Sequence, residues 1–566
     1  MFDRHVHSLS RRRFISGLGA ATIGALPIRS GAAWTQARSE TSTPTMQSRR
    51  LLIEHPYLNV PISSHTSASL FQLSVDGKVA REFPLQLADD AIDYWLYLDV
   101  SEFQGREIVL SGPVSDVSLS RVYQADTLAG KEQLYRESNR PQFHFTVKRG
   151  WNNDVNGPIY YRGKYHLFWQ AFPFGLTPDV GFMYWGHAIS SDLLHWTELF
   201  PALMVDKLGS PWSGTAVVDH HNAAGWGKGT LILAFTAFDR KSQKQVQCLA
   251  HSRDNAQTFT RFADNPIIDS NRELNTFDTR DPKVFWYEPR QHWVLVLFEK
   301  DGMSFYRSTD LKAWERRSHF PNLHECPDFF EMAVDGDVQK KKWVLHGGSA
   351  TYFIGSFDGD TFTPESPALR YAEGTNRHGD DVLYAAQSFA EMPGNRRIQM
   401  AWGRIEQDHM PFNQMFLFPT EFTLASTPAG PRLRTTPIHE IELLHSKRYA
   451  WNSLTVAEAN RRLQRVPTSV IHLKATLASE RNEPITVQYD GKPLATIQPA
   501  DFDNSERWVE ILIDKSLAEI FVGHGARYIL RDLPGETHIT GLEFSAGNHG
   551  TIFDRLELFE MKSIWS

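Results

Sequence analysis

Cysteine is almost missing from this chain, with two in 566 residues. That excludes a disulfide-stapled scaffold, and no Cys/His spacing matches a zinc site, so no metal is expected. An excess of one charge is missing too. The formal net charge is −7, and no basic stripe or Lys/Arg cluster beyond the extreme N-terminus points to nucleic acid. Long hydrophobic runs are also absent; the run from Ile15 to Leu26 is rich in Gly and Ala and too short to span a bilayer, so no stable membrane anchor is expected. What the chain does have is 41% apolar residues, enough for large cores, and many aromatics, with 16 Trp, 17 Tyr and 36 Phe, as carbohydrate-binding β proteins often do. The length suggests two to four domains.

The N-terminus reads as a targeting segment. Ser10-Arg11-Arg12-Arg13-Phe14-Ile15 is a twin-arginine signature ahead of the short apolar run, and Ala32 and Ala33 offer a small-residue cleavage site. Residues 1–33 are therefore expected to be a signal peptide that sends the protein to the periplasm or beyond. A Ser/Thr-rich linker follows over 34–48. Over 49–135 the pattern is short alternating strands: Phe71, Leu73 and Val75, a turn at Asp76-Gly77, the return through Val79 and Phe83, then Leu96, Leu98 and Val100 on one face with Trp95 and Tyr97 on the other. A small β-sandwich is expected, its aromatic face packed on the next domain or, less simply, open to a polysaccharide.

The middle of the chain carries a repeat. Ser191-Asp192-Leu193-Leu194-His195-Trp196 returns as Ser308-Thr309-Asp310-Leu311-Lys312-Ala313-Trp314, with looser copies from Ser252 to Phe259 and from Ser356 to Phe362. The spacing suits four-stranded propeller blades. Four copies, plus a blade for the segment ahead of them, predict a five-bladed propeller over 136–437. A Pro/Gly-rich loop, a short helical link at Glu440 to His445 and strands at Trp508 to Ile513 and Leu517 to Val522 predict a second, C-terminal β-sandwich over 438–566. The fold class is all-β throughout.

Three carboxylates stand in distinctive surroundings, far apart in sequence: Trp151-Asn152-Asn153-Asp154-Val155-Asn156-Gly157, Arg280-Asp281-Pro282, and His324-Glu325-Cys326-Pro327-Asp328. Gathered on one propeller axis, they meet the requirement of a retaining glycosidase, in which one carboxylate attacks and a second acid protonates the leaving oxygen. Each acid alone would read as an ordinary turn or salt-bridge residue. As an ordered set, together with Tyr165 to Gln170, Trp185-Gly186-His187-Ala188, Trp212-Ser213-Gly214, Asp381 to Phe389, Ala401-Trp402-Gly403-Arg404 and a C-terminal stretch from Trp508 to Trp565, they resemble glycoside hydrolase family 32, the β-fructosidases. One departure is Val155, where the resemblance expects Pro.

The resemblance implies a glycoside hydrolase with no cofactor, acting on fructan (levan or inulin) or sucrose. It assigns Asp154 as nucleophile, Glu325 as acid and base, and Asp281 as transition-state stabiliser. By the same analogy Asn153, Gln170, Ser213, Arg280 and Asp281 hold sugar hydroxyls, while Trp185, Trp212 and Trp402 form aromatic walls, the alternative for each Trp being core packing between blades. Arg280 is expected beside Asp281 as its charge partner. Cys326 is read as a small buried filler. The preferred substrate, exo or endo action, transfer to a sugar in place of water, and non-catalytic fructan binding stay open at this level.

Overall fold

The computed structural model describes residues 45–269, 274–478, 483–502, 506–533, 541–547 and 551–565. The twin-arginine segment and nearly all of the expected linker lie outside the described residues.

The first sheet begins at Met46, inside the stretch read as linker. Met46–Leu52 pairs residue for residue with Glu107–Pro113, at the edge of a four-stranded sheet completed by Ser69–Val75 and Lys78–Leu85. Its Ser/Arg-rich composition hid the strand, because this edge strand only half-buries alternate positions and buries none fully. A three-stranded sheet of Tyr94–Asp99, Tyr57–Ile62 and Tyr123–Ala125 closes the N-terminal sandwich. Leu58, Val60, Phe71, Leu73 and Phe83 fill it, and the same cluster runs on into Trp151, Phe172, Phe174 and Tyr184 of the next domain. Phe83 stacks on Phe174 with ring centroids 4.9 Å apart. Tyr97, on the aromatic face, lines a small cavity against Arg149 and Trp151, so that face looks onto the propeller.

Five blades follow, each antiparallel and built outward from its first strand. Blade I is Gly150–Tyr161, Lys164–Phe172, Tyr184–Ser190 and Trp196–Glu198; blade II is Ser210–Asp219, Thr230–Asp239, Lys244–Ser252 and Thr260–Arg261. Blade III is Thr279–Tyr287, His292–Glu299, Gly302–Ser308 and Glu315–Phe320; blade IV is Asp328–Val334, Asp337–His346, Thr351–Phe357 and Phe362–Pro364. Blade V is Leu383–Ser388, Arg397–Gly403, Thr420–Ala425 and Arg432–Pro437. Ala390, just past the first strand of blade V, closes the ring by bonding Pro158 and Tyr160 of blade I.

The repeat has a physical cause. In blades I to III a Ser ends the third strand and its hydroxyl meets an Asp two residues on: Ser190 with Asp192, Ser252 with Asp254, Ser308 with Asp310. The Asp side chain then accepts backbone N–H groups of the turn, an arrangement at which Asp excels. The indole N–H of Trp196 donates to Leu193 O, and that of Trp314 to Leu311 O, which seats the large ring between blades. Asp358 plays the same part in blade IV. The copies thus mark blades I to IV, and the first acid motif lies in blade I with the first copy. The fifth blade is the one without a copy, from Leu383 to Pro437, not an extra blade ahead of the repeat as the sequence suggested.

The C-terminal sandwich pairs a six-stranded sheet, His445–Thr455, Thr551–Met561, Ile471–Leu477, Trp508–Asp514, Leu517–Val522 and Arg527–Asp532, with a three-stranded one. Leu517–Val522 is buried at every position because both faces are covered. Ala518, Ile520 and Val522 face the sandwich core, while Leu517 and Phe521 join the propeller core. At this junction Asp514 accepts the backbone N–H groups of Gln142 and Phe143 at 2.7 and 2.8 Å and meets His144 Nδ1 at 2.9 Å, with Glu519 Oε1 3.6 Å from His144 Nε2. Burial pushes the His144 pKa down, but Asp514 and Glu519 outweigh it and raise it to about 9. A raised histidine stabilises fully below its unfolded value near 6.5, and the contribution, on the order of 3 kcal/mol, is lost as pH climbs through the folded value. Thermal unfolding measured from pH 6 to 10 should show the native protein losing stability above pH 7, with His144→Asn flattening the dependence over that window.

Candidate active site

The acids are aimed by irregularities in the innermost strands. A regular strand alternates its side chains, and a bulge breaks that rule at chosen points. The blade I ladder shifts register between Asn152 and Val155, which frees Asn153 and Asp154; the blade III ladder shifts between Arg280 and Lys283, which frees Asp281. Similar shifts fall at Pro211/Gly214 in blade II and Tyr384/Gln387 in blade V. Asp281 has φ 63°, and Glu325 and Cys326, in the turn before blade IV, have φ 34° and 46°. Such backbone costs about 1–3 kcal/mol per residue and gathers at functional sites. Val155 holds its ladder position opposite Trp169 and is buried, so the bulge forms without the expected proline.

The three acids meet around Cys326. Its Sγ lies 3.5 Å from Asp154 Oδ2 and 3.4 Å from Asp281 Oδ2, and its backbone N–H donates to Asp281 Oδ2 at 3.0 Å. Glu325 is the residue before it. Cys326 is therefore more than a filler: it is the spacer that both aspartates touch. Asp154 also accepts Ser213 Oγ at 2.7 Å and Asn153 Nδ2 at 3.0 Å. All three acids are 1–2% exposed yet line one cavity of about 650 Å³, the size of a small-molecule pocket.

Asn153, Gln170, Trp212, Ser213 and Trp402 line the same cavity. Trp212 stacks on Phe238 at 4.1 Å, and Trp402 donates its indole N–H to Gln414 at 3.0 Å. Two expectations are corrected. Trp185 is fully buried in the core between blades I and II, its N–H given to Trp212 O at 2.9 Å, so it backs the wall without being part of it. Arg280 does not line the cavity either. Its fork donates to Glu325 Oε2 at 3.0 and 3.1 Å and to Asp278 Oδ1 at 2.9 Å, over the Phe298 ring, whereas Asp281 is 3.8 Å away. Arg280 thus keeps an ion pair with Asp281 but bonds Glu325 more closely, and adjacency in sequence could not show the second partner.

Sequence reasoning passed over Tyr384, although it falls within a segment that carried the resemblance. Its hydroxyl donates to Glu325 Oε1 at 2.6 Å, under the Arg404 guanidinium, 4.4 Å from the ring centroid. The ring lies on Gly348, where an added Cβ would come within 2.9 Å of it. Tyr384→Phe removes a hydrogen bond to the proposed acid and is expected to lower kcat at least about tenfold. Steady-state kinetics beside a near-UV circular dichroism spectrum would separate that effect from misfolding.

Asp328 ends the third motif but has a structural task. It is wholly buried, 2.8 Å from Lys283 Nζ of blade III, faces His346 at 3.6 Å, and accepts the backbone N–H of Ser388 of blade V at 2.7 Å. Burial raises its pKa, but Lys283 and His346 outweigh this and hold it well below the usual carboxylate range.

The profile of the glycosyl hydrolases family 32 N-terminal domain matches residues 144–437. The chain belongs to this family. A levanase of Bacillus subtilis (strain 168) is 33% identical over 512 residues, covering 79% of this chain and 74% of the relative. An extracellular exo-inulinase of Aspergillus awamori is 33% identical over 313 residues, 47% of this chain and 58% of the relative. The solved structure of an exo-inulinase from A. awamori superposes with a TM-score of 0.66 at 23% identity, over 76% of this chain and 100% of that one, a likeness of fold. Family 32 membership makes the chain a glycoside hydrolase of a fructan-active family, and the fold, five blades with a β-sandwich, is the one the repeat and the strand pattern predicted.

Proposed function

We propose that this family 32 hydrolase is an exported, retaining exo-β-fructosidase that removes terminal fructose from levan or inulin, with sucrose as a smaller substrate. The observation that carries the reading is the contact of Cys326 with both Asp154 and Asp281, one residue from Glu325, which brings the acids of three blades to one point. Asp154 attacks the anomeric carbon as Glu325 gives its proton to the departing oxygen; the fructosyl ester on Asp154 then yields to a water from which Glu325 takes a proton. Asp281 accepts sugar hydroxyls and its charge favours the oxocarbenium-like transition state. Arg280 and Tyr384 fix the Glu325 carboxyl from its two sides.

Exo action is supported by the walls. Val180 and Trp212, Phe238, Asp278, and Asn376 with Asp380 come from different parts of the ring and line the cavity that holds the acids, which agrees with a pocket for a chain end. Relatives named levanase and exo-inulinase agree with a fructan substrate. Export rests on the Arg11-Arg12 signature, and the A. awamori relative is named extracellular. A time course of products from levan, inulin and sucrose tests the reading. Fructose alone from the first minutes supports it; early oligosaccharides would establish endo action, and longer products from sucrose would establish a transferase.

A further inference from the structure

We propose that Phe277 is the platform for the fructosyl unit on the leaving-group side of the scissile bond. The inference rests on the hydrolase reading above. Phe277 is 59% exposed, yet it lines the cavity that holds the three acids. Val180, 39% exposed, lines the same cavity. Large apolar side chains left open beside a polar pocket mark a contact surface for a ligand.

Its side of the pocket follows from the ion pairs. Phe277 is bonded to Asp278, whose Oδ1 accepts Arg280 Nη1 at 2.9 Å, and the same guanidinium grips Glu325 at 3.0 Å. Asp278 lines the cavity beside Phe277, so this wall is assigned to the side of Glu325, the proposed donor to the departing oxygen. Asn153, which donates to the proposed nucleophile Asp154, and Gln170, which lines the cavity, come from blade I. Asn376 and Asp380, from the segment before blade V, also line the cavity. A furanose ring presents a C–H face and a hydroxyl edge; Phe277 suits the first, and these two side chains suit the second. The pocket's size admits more than one ring.

The test compares a levan-derived trisaccharide with methyl β-fructofuranoside, which has no sugar on the leaving side. Binding is measured by calorimetry in the Asp154→Asn background, and kcat/KM in the active enzyme. Phe277→Ala should weaken the trisaccharide relative to the methyl glycoside by about three- to tenfold, as expected for one aromatic contact, with Phe277→Tyr restoring it. Equal losses for both ligands, or no loss for the trisaccharide, would overturn the platform. If the native enzyme released no fructose, the hydrolase reading would fall, while the binding ratio would still decide the role of Phe277.

Discussion

Asp154→Asn should abolish fructose release, with kcat down by at least about 10⁴-fold, because the carboxylate proposed to form the covalent intermediate is gone. The fold should be unaffected. The amide can keep the contacts with Ser213 and Asn153 that the carboxylate makes, and the side chain is nearly the same size. Glu325→Gln removes the proposed proton donor and should lower kcat about 10²- to 10⁴-fold on fructan. Its loss should shrink on a fructoside with a good leaving group, because such a group departs without protonation. A variant that failed equally on both substrates would mean that Glu325 acts by position alone. Both variants should still bind fructan oligosaccharides, which separates catalysis from a purely binding role.

Asp328→Asn is expected to have the second-largest effect, and on stability instead of chemistry. It removes the buried charge that Lys283 faces at 2.8 Å and weakens the link between blades III, IV and V. Breaking one partner of a buried pair costs about 3–5 kcal/mol because the other charge is left unpaired. The melting temperature should fall by on the order of 10 °C, while the folded fraction keeps its kcat. Because the Asp328 pKa is held down in the folded protein, its contribution is complete above about pH 4. It is lost only as acid approaches the folded value, so the native and variant proteins should converge only in strong acid. Replacing Lys283 and Asp328 together by apolar residues of similar size should recover much of the loss.

Much of this architecture was legible in the sequence because its causes are local. The Ser-x-Asp turn followed by an aromatic repeats because blades I to IV turn the same corner, and that spacing implies a propeller. Which blade lacks the corner was not legible, since blade V ends through Thr420–Ala425 and Arg432–Pro437 instead. The three acids were legible because their chain neighbours are distinctive. Their partners were not. Arg280 stays within 3.8 Å of its chain neighbour Asp281, but its closer hydrogen bonds go to Glu325, 45 residues on. Tyr384 reaches Glu325 across 59 residues, and Asp328 shares a motif with the acid while serving the core. Trp185 shows the same limit from the other side: an aromatic can match a site segment and still be packing.

The most direct test of the account is to hydrolyse levan in aqueous methanol and identify the methyl fructoside by NMR. A fructosyl-Asp154 intermediate attacked from the face that the leaving group vacated gives methyl β-fructofuranoside, a product that does not equilibrate, alongside fructose. The account predicts that product in proportion to methanol, and its absence with Asp154→Asn. The α-anomer, or fructose released with no methyl fructoside at any methanol concentration, would contradict a retaining mechanism through Asp154.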